Sequence, residues 1–187
     1  MALTDVGIAN SALIKCGSDP ISSLTQNTRR AELINAIYTN LRNEVQSAHP
    51  WSFTLLRDTL APSADEPDWG YDYAYDLPNG WLTLWTLDPN DIDYVVENEQ
   101  ILTNESTELD VLIGIVNTDP SSWSYLFGES LAWRIAAEIG YALTQSINLV
   151  ESCHKMYAKT IAEARWKDSI DSQVKVLETD KWTNSRR

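Results

Sequence analysis

The chain has 187 residues, of which 43% are hydrophobic and 22% are charged. This length and composition are typical of one globular domain with an ordinary core, and they exclude wholesale disorder, collagen and coiled-coil rods. The formal net charge is −13, with 27 acidic against 14 basic residues, so the chain lacks the overall basic footprint of a nucleic-acid-binding protein.

The charge is distributed unevenly along the chain. Residues 58–133 hold 16 of the 27 acidic residues and no Lys or Arg, whereas the two flanks together carry a net charge of +3. The flanks have helical patterns, and the middle is rich in Trp and Tyr and has short runs typical of strands. The sequence therefore predicts two chemically different units within one chain.

Two helices are predicted before residue 50. The N-cap residues Thr4 and Asp5 precede a short helix that ends at Cys16. A second helix begins near residue 27 or 28, and its apolar residues recur at helical spacing over 34–48. The proline at position 50 ends this helix, because the residue before a proline disfavours the α conformation.

The middle of the chain predicts strands. Apolar or aromatic runs occupy 51–56, 73–77, 81–87, 94–97, 100–103 and 111–116. Asn79-Gly80 favours a hairpin between the second and third runs, and Asn98-Glu99 gives a weaker hairpin signal between the fourth and fifth. The Pro-containing, acidic residues 58–72 predict a loop. We expect a small antiparallel sheet of four to six strands.

Two further helices are predicted near the C-terminus. Asp119-Pro120 is a typical helix start, and apolar residues nearly surround the axis over 131–143, so this third helix should be the most buried. A long, solvent-facing fourth helix begins near Asn148 and carries charged residues four apart.

The predicted fold class is α+β, a mainly α-helical bundle of about four helices with an inserted small antiparallel β-sheet and an extended tail. The predicted segments are an N-terminal helical pair at 1–50, an acidic, aromatic-rich β insertion at 51–118, the long helices that complete the bundle at 119–174, and a flexible C-terminal tail at 175–187.

No residue pattern in the sequence specifies an enzymatic reaction. Cys16 and Cys153 lack metal-ligand spacing, and His49 and His154 lie far apart on different predicted helices. Cys153 and His154 are neighbours on a helix, so their side chains diverge by about 100° and do not form a catalytic dyad. Nucleophile elbows and glycine-rich phosphate loops are absent from the sequence. We therefore expect a protein that is not an enzyme and that uses no cofactor or metal.

An acidic, aromatic stretch leaves an alternative open. Three acidic residues there are followed by three aromatic ones: Asp65, Glu66, Asp68, Trp69, Tyr71 and Tyr73. Glycosidases need two carboxylates, and aromatic rings stack on sugars, so these residues are candidates for a carbohydrate-binding or carbohydrate-cleaving module. The simpler interpretation is a solvated acidic loop.

The N-terminal quarter carries a specific pattern over residues 9–53. A helix containing NSAL is followed by CGSDPISSL, a long helix and then HPWSF. This succession resembles the head-to-tail adaptor proteins of short-tailed phages, also called tail tubular protein A; the rest of the chain agrees with that family in layout only. The matching positions, which are structural rather than catalytic, are Gly17, Pro20, Ile21, Leu24, Trp51 and Phe53.

The resemblance implies a structural protein of the virion, made in the host cytoplasm. Adaptors of this family form a ring of twelve subunits under the portal, bridge the portal to the tail nozzle or next tail component, and line the DNA channel. The implied partners are therefore the portal ring, the nozzle and other copies of the chain. DNA would pass through without being specifically bound. No membrane partner is expected, because no run approaches the ~18 apolar residues of a membrane span.

The C-terminal tail is the region through which the family tends to contact the portal. On that basis the portal-interface candidates are Val176, Leu177, Lys181, Trp182, Arg186 and Arg187. A third hypothesis stays open, in which the chain is a different α-helical connector or a tail component of another tier.

Overall fold

The computed structural model describes residues 3–65, 67–88 and 91–171. Within these residues the chain forms four α-helices and six β-strands, which confirms the predicted α+β fold class. The helices are α1 (Asp5–Lys15), α2 (Arg29–Ser47), α3 (Tyr125–Thr144) and α4 (Ile147–Asp171). The strands are β1 (Leu55–Leu60), β2 (Tyr73–Asp76), β3 (Trp81–Asp88), β4 (Tyr94–Glu97), β5 (Gln100–Thr103) and β6 (Leu109–Ile115).

The helix starts depend on hydroxyl side chains that accept hydrogen bonds from otherwise unpaired backbone N–H groups. The Thr4 hydroxyl accepts from the N–H of Gly7 at 3.0 Å, and Thr28 does the same at the start of α2. The predicted start of the third helix at 119 was wrong. A separate 3₁₀ helix spans Pro120–Ser122, and α3 begins after its own cap at Ser124. The extended backbone of the intervening Trp123 interrupts the helix and accompanies burial of its side chain in the core.

Helix α3 is the centre of the helical bundle. It contacts α1, α2 and α4, and its buried side chains include the fully enclosed Phe127, Leu131 and Ile135. This confirms the prediction of a helix that is apolar on nearly all sides. Helix α4 packs along α3 with Cys153, Ile161 and Ala164 facing inward, while most of its charged residues are exposed and Asp168 is buried.

The strands form two sheets rather than the single sheet predicted. Sheet A has the order β1-β6-β3 and sheet B has the order β2-β5-β4, and every pairing is antiparallel. Side chains from both sheets share one apolar core that is separate from the helical core, and Tyr75, Ile101 and Ile113 are fully buried in it. Strand sequences alone do not say how many sheets they form, because the pairing partners are distant in the chain.

The hairpin predicted at Asn79-Gly80 does not form, although both flanking strands are present. Strand β2 pairs with β5, and β3 pairs with β6. The backbone N–H of Leu77 donates to the Glu99 carbonyl at 2.9 Å, and Gly80 accepts from Val116 at 2.8 Å, so this segment crosses between sheets. The hairpin at Asn98-Glu99 is confirmed, with Glu97 opposite Gln100 and positive φ at both turn residues.

The strand predicted at 51–56 was also wrong in its first half. Residues 51–54 form a turn closed by a 2.8 Å hydrogen bond from the Thr54 N–H to the Trp51 carbonyl, and β1 begins only at Leu55. The loop predicted over 58–72 loses its first three residues to this strand, whose last residue, Leu60, is buried opposite Leu109. The apolar residues of 51–54 serve the helical core instead of a sheet.

Candidate functional site

The HPWSF residues form an aromatic cluster in the helical core. Trp51 is fully buried, and its indole N–H donates to the Val45 carbonyl at 3.0 Å. Its ring stacks on Phe53 with centroids 5.9 Å apart and meets Phe127 edge-on at 5.1 Å. Aromatic pairs of this kind add about 0.5–1.5 kcal/mol each beyond the area they bury. The cluster therefore fixes the chain at the point where it leaves α2 for β1.

The other residues of the N-terminal pattern shape the connection between α1 and α2. Gly17 has φ +68°, which an L side chain rarely adopts, and it ends α1. Ile21 is buried, whereas Pro20 is exposed and Leu24 packs partly buried against the helical core. The amide of Asn10 bonds both the N–H and the carbonyl of Ile21, at 2.7 and 2.9 Å.

A pair of amides joins the helical bundle to the β-sheets. Gln46 is 1% exposed, and its side chain donates to the Asn117 carbonyl at 2.8 Å and accepts from the Asn117 N–H at 3.0 Å. The Asn117 side chain in turn donates to Phe53 and accepts from Trp123. These residues fix the orientation of the end of β6 relative to α2 and the aromatic cluster.

The C-terminal end of α4 is anchored beside the start of β1. Asp168 is 6% exposed and accepts hydrogen bonds from the Ser52 hydroxyl at 2.8 Å and from the Ser52 N–H. The His49 Nε2 lies 3.5 Å from the same carboxylate. Burial lowers the pKa of His49, and the nearby Asp168 carboxylate opposes that effect. The anchor sets where the chain continues into residues 172–187.

One side of α4 exposes large apolar side chains. Trp166 is 68% exposed and Ile170 is 45% exposed, and Met156 lies further back on the same side of the helix. The opposite side packs on α3. On that side of the helix these exposed apolar side chains are interspersed with the ion pair of Lys159 and Glu163.

The two sheets carry an unbalanced negative charge. Residues 58–118 contain 14 acidic residues and no Lys or Arg. Ion pairs among the described residues lie within the helices and their connections, and none includes an acidic residue of this segment. The β unit, residues 58–118, is therefore strongly acidic, and the sheets add to it one cation, Arg57 of β1, next to Asp58.

Four of the six residues proposed for carbohydrate chemistry meet in a groove on the outer face of sheet B. Asp65, Asp68, Trp69 and Tyr71 line it, together with Glu97, Asn98 and Gln100 from the β4–β5 hairpin. Trp69 is 87% exposed, the largest exposure among the large apolar side chains described. Tyr73 points to the opposite face and packs in the β core, and Glu66 lies outside the described residues.

The two cysteines are buried in the helical core, apart from the exposed His154. Cys16 and Cys153 are both buried, and burial raises the pKa of Cys16 to about 11, so this thiol stays protonated at neutral pH. His154 is exposed on α4, whereas the adjacent Cys153 faces the core. Across residues 3–65, 67–88 and 91–171, no group of three or more potential ligands is placed to hold a metal ion.

Sequence reasoning missed four residues that organise the structure. Asn10, Gln46, Asn117 and Asp168 each bond a partner that is distant in the sequence, and short-range patterns carry no signal of such pairs. The portal-interface candidates Val176, Leu177, Lys181, Trp182, Arg186 and Arg187 lie outside the described residues.

The sequence has no detectable match among known families. It matches no protein-family model, and no curated protein is significantly similar to it. None of the helices in the described part of the chain is long and apolar enough to span a membrane.

Proposed function

We propose that this chain is a head-to-tail adaptor of a short-tailed phage, a structural protein that forms a ring under the portal and connects it to the tail nozzle. The observation that carries the proposal is the N-terminal pattern of residues 9–53. The residues of this pattern stabilise two connections in the fold. Gly17 and Ile21 shape the connection between α1 and α2, and Trp51 and Phe53 pack where the chain leaves α2.

The exposed surfaces of the chain are compatible with a ring. A closed ring needs two different surfaces on each subunit, one for each neighbour. Aromatic residues and Met are enriched at such interfaces, and the chain exposes them on α4, at Trp166 and Met156, and on the β unit at Trp69.

The electrostatics fit a DNA conduit better than a DNA-binding protein. Non-specific DNA binding depends on Lys and Arg that neutralise phosphates. The β unit has 14 acidic residues and no Lys or Arg, so wherever it borders the channel it repels phosphates rather than holding them. DNA can then slide through during ejection.

The direct test is to mix the purified protein with the portal ring encoded in the same genome. We expect native mass spectrometry and single-particle images to give a portal complex that carries a ring of twelve copies. A chain that stays monomeric and does not associate with the portal would contradict the proposal. A monomer in the absence of the portal would not, because the portal can act as the template for assembly.

The proposal also places portal attachment in the C-terminal tail. Deleting residues 175–187 should weaken attachment by at least tenfold while the circular dichroism spectrum is retained, because α4 is anchored upstream by Asp168. Normal attachment of a well-folded deletion variant would contradict this assignment. A matched control is the full-length variant Lys155→Gln, which alters an exposed basic residue of α4 and should attach normally.

A second candidate function is carbohydrate binding, which the groove on sheet B favours. Two carboxylates, from Asp65 and Asp68, lie in it beside the exposed ring of Trp69. Binding on a glycan array that is lost in Trp69→Ala, or cleavage of peptidoglycan that is lost in Asp65→Asn, would support this function over the adaptor.

A further inference from the structure

The groove on sheet B has unpaired negative charge next to an exposed aromatic ring. Asp65, Asp68 and Glu97 are exposed along it, and within the described chain none of the three carboxylates has a cationic partner. Trp69 lies among them with 87% of its surface exposed. Guanidinium and ammonium groups suit such a surface, since they pair with carboxylates and also stack on indole rings.

The C-terminal segment of the same chain has the complementary chemistry. Residues 172–187 contain four basic and two acidic residues, a net charge of +2, and they end in Arg186-Arg187. An aromatic residue, Trp182, lies between the last lysine and these arginines. This segment is therefore net basic in a chain whose overall net charge is −13.

The anchoring of α4 puts this segment within reach of the groove. Asp168 bonds Ser52, and eleven residues later the N–H of Ser63 donates to the carbonyl of Ala74, a residue that lines the groove. Eleven residues span at most about 38 Å, which bounds the distance from the anchor to the groove. The 16 residues after Asp171 can span about 53 Å, so the final arginines can reach the groove of their own chain.

We propose that the basic segment 175–187 binds the acidic, aromatic groove of sheet B in its own chain. Its arginines pair with Asp65, Asp68 and Glu97 and stack on Trp69. Tethering raises the effective concentration of the segment at the groove to about the millimolar range, so weak individual contacts suffice.

This contact would couple attachment to the portal to release of the segment from the groove. If the segment is also the portal-binding element, the portal competes with the groove for the same basic side chains. Free subunits would then keep the segment bound until a portal displaces it. The intramolecular contact itself does not depend on what the protein does.

Limited trypsin digestion of the full-length protein tests the contact directly. Besides the bond after Lys175, where the segment begins, trypsin cuts after Lys181 and Arg186, and mass spectrometry measures the rate at these two bonds. The groove variant Asp65→Asn/Asp68→Asn/Glu97→Gln removes three charges without creating a trypsin site. We expect cleavage at both bonds about fivefold faster, or more, in this variant than in the wild type at low salt. Trp69→Ala, which leaves the charges in place, should also accelerate cleavage.

The matched control is Asp91→Asn/Asp93→Asn/Glu108→Gln, which changes the net charge equally at exposed positions of the β unit that do not line the groove. It should be cleaved at the wild-type rate. In 0.5 M salt the Debye length falls to about 4 Å, and the wild type and the groove variant should then be cleaved equally fast. Equal rates for the wild type and the groove variant at low salt, or equal acceleration in the control, would overturn the proposal.

Protein concentration separates the chain's own groove from that of a second copy. Protection within one chain is independent of dilution, whereas protection that disappears on dilution would overturn the intramolecular contact. No portal is present in this assay. A failure here therefore leaves the adaptor function standing, and a failure of portal binding leaves this contact standing.

Discussion

Gln46 and Asn117 illustrate how single polar residues join the two parts of this chain. Gln46 is 1% exposed, yet its amide is satisfied by both backbone groups of Asn117. A buried amide without partners costs about 1–3 kcal/mol, so this position tolerates Gln only because Asn117 lies opposite. A local pattern would have assigned an apolar residue to this face of α2.

The first prediction concerns this amide pair. Gln46→Ala should lower the free energy of unfolding by about 2–4 kcal/mol, because it leaves the N–H and carbonyl of Asn117 unpaired and opens a cavity. Urea denaturation measures the change. Asn40→Ala, an exposed amide on the same helix, should change it by less than about 0.5 kcal/mol. Similar losses in the two variants would contradict the assigned role.

A second prediction at this scale concerns pH. Burial lowers the pKa of His49 in the folded chain. As the pH falls below about 6.5, His49 is therefore protonated in the unfolded chain before it is protonated in the folded chain. His49 therefore makes the folded state less stable as the pH falls from about 6.5, and it has no such effect at higher pH. Urea denaturation at pH 7.5 and 5.5 should show a smaller loss of stability in His49→Gln than in the wild type.

The other histidine supplies the control for that experiment. His154 is exposed on α4, so His154→Gln removes a histidine without touching the buried anchor, and its stability at the two pH values is the reference for His49→Gln. Background titration of the many carboxylates is common to all three proteins and cancels in the comparison. A His49→Gln variant with the same pH dependence as the wild type would refute the role given to burial.

At the scale of elements, local patterns predicted the secondary structure of each segment better than they predicted which strands pair. The helices follow from apolar spacing and from caps such as Thr28, and the β4–β5 hairpin follows from Asn98-Glu99. The hairpin at Asn79-Gly80 does not form, because β2 pairs with β5 and β3 pairs with β6 instead of with each other. The sequence indicated only a stretch of acidic and aromatic residues, and not a groove, because the groove also needs Glu97, which is distant in the sequence.

The β4–β5 hairpin gives a prediction about one element. Glu99 has φ +64°, a conformation that costs a residue with a side chain about 1–2 kcal/mol and costs glycine little. Glu99→Gly should therefore raise the free energy of unfolding by about 0.5–1 kcal/mol, measured by urea denaturation. Glu99→Ala removes the same charge but keeps the strain, so it separates the two effects. Equal gains from both variants would assign the effect to charge alone.

At the scale of the whole molecule, the chain separates its charges into two units. The bundle pairs several of its acidic residues with cations, as Arg134 does with Glu44 and Glu138. The β unit has no Lys or Arg over residues 58–118, and its core of Tyr75, Ile101 and Ile113 must hold together against the repulsion among 14 acidic residues. The two units therefore differ in surface charge as well as in secondary structure.

The last prediction follows from this repulsion. Raising NaCl from 0.05 to 0.5 M should raise the melting temperature by about 2–4 °C, which corresponds to about 1 kcal/mol for a chain of this size, because salt screens exposed like charges. Asp91→Asn/Asp93→Asn/Glu108→Gln should melt higher than the wild type at low salt and respond less to added salt. Neutralising acidic residues of the bundle that already have cationic partners, in Glu129→Gln/Glu138→Gln, should give no gain. A melting temperature that falls with salt would contradict this prediction, because it would show that attraction between charges, not repulsion, dominates.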